Sequence, residues 1–226
     1  MRTISNKELN EILEKHEKWL NNEEGGERAD LSYTNLQEVD LRGVDLQNAF
    51  LCGANLQKAN LRKANLQYAD LSGADLSEAN LSGANLQKIN LQFVDLSNAD
   101  LINANLMYAN LKFACLQYTQ LNCANLHGTG FQYADLESVY REWLVYMGPL
   151  GNRYAETLYL ADYDNVQCGC WNNYRGGTLA EFKARIDDVY PADDKEHCMY
   201  RVNYLSAIKA FESMREAYLR KTTEDN

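Results

Sequence analysis

The chain has 226 residues, enough for a substantial core, and carries 22 Lys+Arg against 32 Asp+Glu, a formal charge of −10. That balance speaks against direct nucleic-acid binding, which needs cations to displace counterions from phosphates, and against an anionic membrane surface. The longest apolar stretch, Trp143 to Met147, is far too short to span a bilayer, and a 24% charged fraction with two prolines is not the composition of a disordered chain.

The N-terminal MRTISNKELNEIL lacks an apolar signal core. With six scattered cysteines (Cys52, Cys115, Cys123, Cys168, Cys170 and Cys198) this predicts a cytoplasmic protein with reduced thiols. Residues 6–20 read as an amphipathic helix with Leu9, Ile12, Leu13, His16 and Leu20 on one face. Ser5 and Glu8 have capping-box spacing before it. Residues 1–28 are expected to form a helical cap and a turn (NNEEGGER) into the next segment.

From Leu31 to Leu136 a leucine recurs every fifth residue, 22 positions with Phe131 the single departure. Two residues earlier stands a small or β-branched residue, 15 times Ala. One residue earlier stands Asp eight times and Asn ten times. The repeat fills residues 29–138 without an insertion. A period of five fits neither a helix nor a strand, so the chain must turn once per repeat. Leu and the small residue then both point inward, and Asx suits the corners because its side chain bonds nearby backbone. Stacked coils would pair their backbones at about 4.8 Å per layer.

Runs such as Ala54-Asn55-Leu56-Gln57-Lys58 and Ala69-Asp70-Leu71-Ser72-Gly73 resemble the pentapeptide-repeat proteins. The resemblance covers about half the chain. It implies a mainly β fold, a right-handed quadrilateral β-helix with four pentads per coil, so that 22 repeats make 5.5 coils. A solenoid needs its open end covered, which assigns the 6–20 helix as a cap.

Residues 139–226 differ in composition and are expected to form a small α+β domain. Thr157 to Asp162 and Val166 to Trp171 read as strands joined near Asp162-Tyr163-Asp164-Asn165. Thr178 and Glu181 form a second capping box before a helix from about Leu179 to Val189. Pro191 and the stretch Asp193-Asp194-Lys195-Glu196 interrupt, and a last helix runs from about Met199 to Arg220, with Tyr204, Leu205, Ile208, Phe211 and Tyr218 as its apolar side. The run Cys168-Gly169-Cys170-Trp171 followed by Gly176-Gly177-Thr178-Leu179-Ala180-Glu181-Phe182 is similar to segments that follow pentapeptide repeats in uncharacterised bacterial and phage proteins.

Cys168, Cys170, His197 and Cys198 could form a zinc set, but C-x-C and adjacent His-Cys are poor ligand spacings, and alternation along a strand explains the first pair. A Cys–His catalytic pair from the same residues has no nucleophile motif around it. His16 is expected to pack in the cap and His127 to face solvent. The expectation is a protein that is not an enzyme and needs no metal or cofactor. Arg175, Gly176, Gly177 and Thr178, ahead of a helix, could hold a phosphate or nucleotide, with the coil as scaffold.

Charge placement carries the main functional reading. Pentads 20 residues apart share a face, and the face of Leu36, Leu56, Leu76, Leu96, Leu116 and Leu136 carries Glu38, Asp75, Glu78, Asp95, Asp135 and Glu137 against Lys58, a net of −5. The faces of Leu31, Leu41 and Leu46 carry −1, +1 and zero. An acidic stripe on a rod can attract a DNA-binding groove. The family resemblance implies the same, since pentapeptide-repeat proteins that protect or inhibit DNA gyrase are thought to act as DNA mimics. The expected partner is a protein, such as a topoisomerase or a host defence protein that a phage would counter. This chain departs from those relatives in having no loop in the repeat and an 88-residue domain after it. Tyr33, Phe93, Phe113 and Tyr133 occupy one outward column, with Gly53 and Gly73 between the first two. Such a column should be covered, by the C-terminal domain or by a second copy.

Overall fold

The structure is a computed structural model that describes residues 1–126, 128–136, 139, 144–150, 155–160, 165–168, 177–189 and 198–224. The chain divides into two compact units, Met1–Arg141 and Glu142–Asn226.

In the first unit the period of five becomes a coil of four pentads. Residues 20 apart bridge in parallel, from Asp30↔Phe50 to Cys115↔Asp135. At an Asx corner every backbone N–H of the pentad finds a partner, as the pentad around Leu76 shows. The Leu76 N–H donates to the Asp95 carbonyl at 2.7 Å, and Glu78 to Ser97 at 2.9 Å, both in the next coil. Asn80 donates back to Ala59 at 2.9 Å, and Ala79 closes the turn onto Leu76 at 3.0 Å. The fifth donor, Ser77, bonds Oδ1 of Asp75 at 2.9 Å. Each Asp or Asn from Asp30 to Asn110 accepts the N–H two residues on in this way. The corner preference for Asx is thus a hydrogen-bond requirement: it captures the one donor that the coil's backbone leaves over. Asp100→Ala should therefore cost about 1 kcal/mol in thermal or urea melts, while Asp100→Asn should stay within about 0.5 kcal/mol of the parent.

The interior is a stack of Leu and Ala, each essentially inaccessible, with Phe131 completing one layer. Thr119 and Thr129 are buried as well, and their hydroxyls donate to the carbonyls of Leu96 and Leu106, both at 2.8 Å. Polar ladders run up the outside, for example from Asn105 through Asn85 and Asn65 to Asp45. Each turn places the second residue after its leucine at positive φ, as at Tyr33, Lys58 and Phe93, the conformation that the third residue of a type II turn adopts.

Strand β1 (Arg2–Thr3) pairs in parallel with β2 (Thr34–Asn35) and occupies the exposed edge of the first coil there. Helix α1 (Asn6–Leu20) follows. The Ser5 hydroxyl accepts the Glu8 N–H, but the Glu8 carboxylate pairs with Arg2, so the expected capping box is made on one side only. Gly26 passes so close to α1 that a Cβ would lie 2.4 Å from the Trp19 nitrogen.

In the second unit, β3 (Leu144–Leu150), β4 (Ala155–Leu160) and β5 (Asn165–Cys168) form an antiparallel sheet in that order. Strand β3 was absent from the sequence reading. It is an edge strand whose register shifts between Met147 and Leu150, the span holding Gly148 and Pro149. Strands β4 and β5 contain the described parts of the expected strands and begin two residues and one residue earlier, while the expected ends, residues 161–162 and 169–171, lie outside the described residues. Helix α2 (Leu179–Val189) has the expected bounds, and α3 (Cys198–Glu224) extends one residue earlier and four later than expected. They pack through Phe182, Ile186, Tyr204, Ala207, Ile208 and Phe211, with Phe182 edge-on to Tyr204 at 5.9 Å. The region around Pro191 and residues 193–196 lies outside the described residues.

Candidate functional surface of the coil

Coil stacking brings Glu38, Asp75, Glu78, Asp95 and Asp135 onto one face, as the bridges Asn55↔Asp75, Asp75↔Asp95 and Cys115↔Asp135 require. Glu137 lies outside the described residues. The five carboxylates and Lys58 leave this face at −4.

The carboxylates are not equivalent. Asp75 and Asp95 are half-buried, and one oxygen of each is committed to its turn, on Ser77 and Ser97 at 2.9 Å. The Ser77 hydroxyl adds a 2.6 Å bond to Asp75. Glu78 is exposed and lies 3.7 Å from Lys58, an exposed pair of little energetic weight. Asp135 is exposed and accepts from the Gln117 amide at 2.7 Å. Glu38 is exposed at the first corner of the face. The acidic face therefore combines two half-buried carboxylates, each tethered to its own turn, with three exposed ones.

On the Leu41 face, Arg42 grips Asp40 through two nitrogens at 2.7–3.1 Å and holds its carboxyl below the usual carboxylate range. On the Leu46 face, Lys88 lies 3.2 Å from the Tyr68 hydroxyl. At the N-terminal end the Arg28 guanidinium sits over the Phe50 ring at 3.6 Å and donates to the Asn48 carbonyl. That arrangement escaped the sequence reading, although Phe50 standing at an Asx corner was its signal.

Of the possible anion site, Arg175 and Gly176 lie outside the described residues. Thr178 is engaged by its own helix: its N–H donates to Glu181 at 2.8 Å, and its hydroxyl accepts the Glu181 N–H at 3.2 Å. The Thr178 N–H holds the Glu181 carboxyl below its ordinary range, so an acceptor charge already occupies that helix start. Cys170 and His197 lie outside the described residues, and among the described residues no group of three or more His, Cys, Asp or Glu could hold a metal. Among the described residues no helix is long and apolar enough to cross a membrane.

No curated protein matches the chain. Solved structures do. A pentapeptide repeat protein from the Arabidopsis thaliana thylakoid lumen is 32% identical over 49% of this chain and 70% of its own, with a TM-score of 0.35. Rfr23 from the cyanobacterium Cyanothece 51142 is 26% identical over 59% of this chain and 95% of its own, at 0.36. QnrB1, a plasmid-mediated fluoroquinolone resistance protein, is 22% identical over 50% of this chain and 68% of its own, at 0.27. None of these likenesses bears on what the chain binds. The profile of pentapeptide repeats matches in overlapping copies from residue 27 to residue 139, half of the chain. That continuous match and the four-pentad coil make the chain a member of the pentapeptide-repeat family, whose fold is the right-handed quadrilateral β-helix.

Proposed function

We propose that the chain is a non-enzymatic binding protein whose acidic coil face engages a DNA-handling protein in place of nucleic acid. One observation carries this reading. Among the described bridges only Asp75↔Asp95 sets one carboxylate beside another in the adjacent coil. Like charges directly opposite destabilise a strand pair. Asn performs the same turn-closing role elsewhere, as Asn80 does for Ser82 at 3.0 Å. The fold thus gains nothing from the second charge, whereas a partner with a basic groove would. The array also rides on a rigid coil, so little ordering entropy is lost on docking.

The test uses the full chain as bait in a bacterial lysate. The triple variant Asp75→Asn, Asp95→Asn, Asp135→Asn should melt no lower than the parent and should capture less of a DNA-handling protein, with the deficit largest at low salt. The matched control Asp40→Asn, Asp45→Asn, Asp100→Asn removes the same formal charge from the other faces. Equal capture by both triple variants would show that the stripe only keeps the protein soluble.

A further inference from the structure

Phe93, Phe113 and Tyr133 stack along the Leu31 face with centroids 4.9 and 5.0 Å apart, and these rings stay exposed. A different ring stack is built into the N-terminal end of the coil. The His16 ring is fully buried and lies 5.5 Å from the Trp19 ring, nearly parallel to it. The Arg28 guanidinium is 5.9 Å from the same Trp19 ring, and it also covers Phe50 and donates to the Asn48 carbonyl. His16 and Trp19 belong to α1, whereas Phe50 and Asn48 belong to the coil. The rest of this joint is thin. Strand β1 has two residues, both exposed, and the Arg2 N–H donates to the Tyr33 carbonyl at 2.7 Å. Of the apolar side of α1 only Leu9 is buried, while Ile12, Leu13 and Leu20 are half-buried. The coil interior is closed layer after layer, so residues 1–28 can open on their own.

Within the joint, His16 is the titratable side chain that lies fully buried. Its Nδ1 accepts the N–H of Ala29, the first residue of the repeat, at 3.0 Å. Its Nε2 has no hydrogen-bond partner among the described residues. The neutral ring thus holds the coil as an acceptor, and a proton on Nδ1 would set two donors against each other. Asp45 and the Gln47 backbone favour the charged ring, and Arg28 opposes it. Asp45 is exposed, and its carboxylate already accepts the Gln47 N–H at 2.9 Å and the Asn65 amide at 3.1 Å. A His16 cation would therefore gain no dedicated counterion in exchange for the Ala29 bond.

We propose that His16 is a proton-operated latch, whose protonation releases β1 and α1 together and uncovers the N-terminal edge of the β ladder while the layers beyond stay folded. The uncovered edge is that of Thr34 and Asn35, which β1 pairs in the closed state. An unpaired edge is a template for a further strand, so release turns a closed end into a pairing one. Burial holds the closed-state pKa below the ordinary 6.5, so the released state takes up the proton first. Closure is then complete above about pH 6.5 and weakens as the pH falls toward the closed-state value.

Amide exchange of the full chain, read as protection factors, tests this. Between about pH 7.5 and pH 5.5 a released His16 goes from about one-tenth to about nine-tenths protonated, so opening should rise about five- to tenfold. Protection at Arg2, along α1 and at Ala29 should fall by that factor, with Leu76 and Leu81 unchanged. The fall should begin near pH 7 and follow a single proton. His16→Asn offers an acceptor to the Ala29 N–H and cannot titrate, so its α1 protection should change less than about twofold. Equal loss in His16→Asn overturns the latch. So does wild-type α1 protection that holds down to pH 5.5, or a loss at Leu76 as large as that at α1, which would be global unfolding. If His16→Asn fails to fold, the wild-type pH profile decides alone: a fall that starts only below about pH 5 belongs to carboxylates and refutes the proposal.

Discussion

Leu81→Asp should abolish the cooperative melting of the coil. Leu81 is 1% exposed, in the middle of a stack in which Leu61 and Leu101 are equally buried. A carboxylate there would have no cation and no donor, because every neighbouring backbone N–H is already spent on the ladder. The expected loss is about 4 kcal/mol or more, at the upper end of single-substitution effects. The position adds to the damage. In a solenoid each layer contacts only its neighbours, so a failed central layer separates the coils before it from those after it. Amide exchange should then show protection falling across the whole of residues 29–126, with the helices of the second unit unaffected. Leu81→Met, which nearly conserves volume, should cost less than about 1.5 kcal/mol. A Leu81→Asp chain that melts like its parent would mean that the leucines do not point inward.

The coil was legible in the sequence because its period is enforced at every layer. Leu, the small residue and Asx each answer a separate physical demand: filling the core, fitting a narrow interior and capturing the donor that the backbone leaves over. The first two could be argued from size alone. The third needed the geometry, since only the bond from Ser77 to Asp75 and its repeats show which N–H is left over. In the second unit, local signals carried α2, whose bounds follow from Thr178, Glu181 and the apolar positions Leu179, Phe182 and Ile186. Strand β3 was missed because Gly148-Pro149 reads as a break. An edge strand with a register shift tolerates both residues, and that tolerance depends on which strand lies beside it.

The surface was legible as columns but not as chemistry. Residues 20 apart do share a face, so the acidic and aromatic columns could be written down in advance. The sequence could not say that Asp75 and Asp95 are half-buried, or that Arg28 lies over Phe50. Nor could it say that Tyr33 leans over Gly53 while the place of Gly73 stays open, because this depends on the tilt of a ring along the coil axis.

Mild acid should loosen helix α1 from the coil before the carboxylates titrate. His16 is fully buried, and its Nδ1 accepts the Ala29 N–H at 3.0 Å, so the ring is neutral and carries its proton on Nε2. Nε2 has no hydrogen-bond partner among the described residues, and the ring stacks on Trp19 at 5.5 Å. Burial pushes the His16 pKa below its ordinary 6.5, outweighing Asp45 and the Gln47 backbone, which raise it, and Arg28 adds to the lowering. A second proton would go to Nδ1 and turn the Ala29 bond into two donors facing each other. Because the folded pKa is the lower one, the unfolded chain takes up the proton first. Stability is then full above about pH 6.5 and falls as the pH drops from there to the folded pKa. Trp19 fluorescence during melts at about pH 7.5 and pH 5.5 reads this loss above the carboxylate range. His16→Asn keeps an acceptor where Nδ1 stands and cannot titrate, so its melting should be nearly the same at both pH values. His16→Leu leaves the Ala29 N–H buried without an acceptor and should cost about 1–3 kcal/mol at neutral pH. If the wild type and His16→Asn lose the same stability between those two pH values, the acid response belongs to other groups, and His16 only packs.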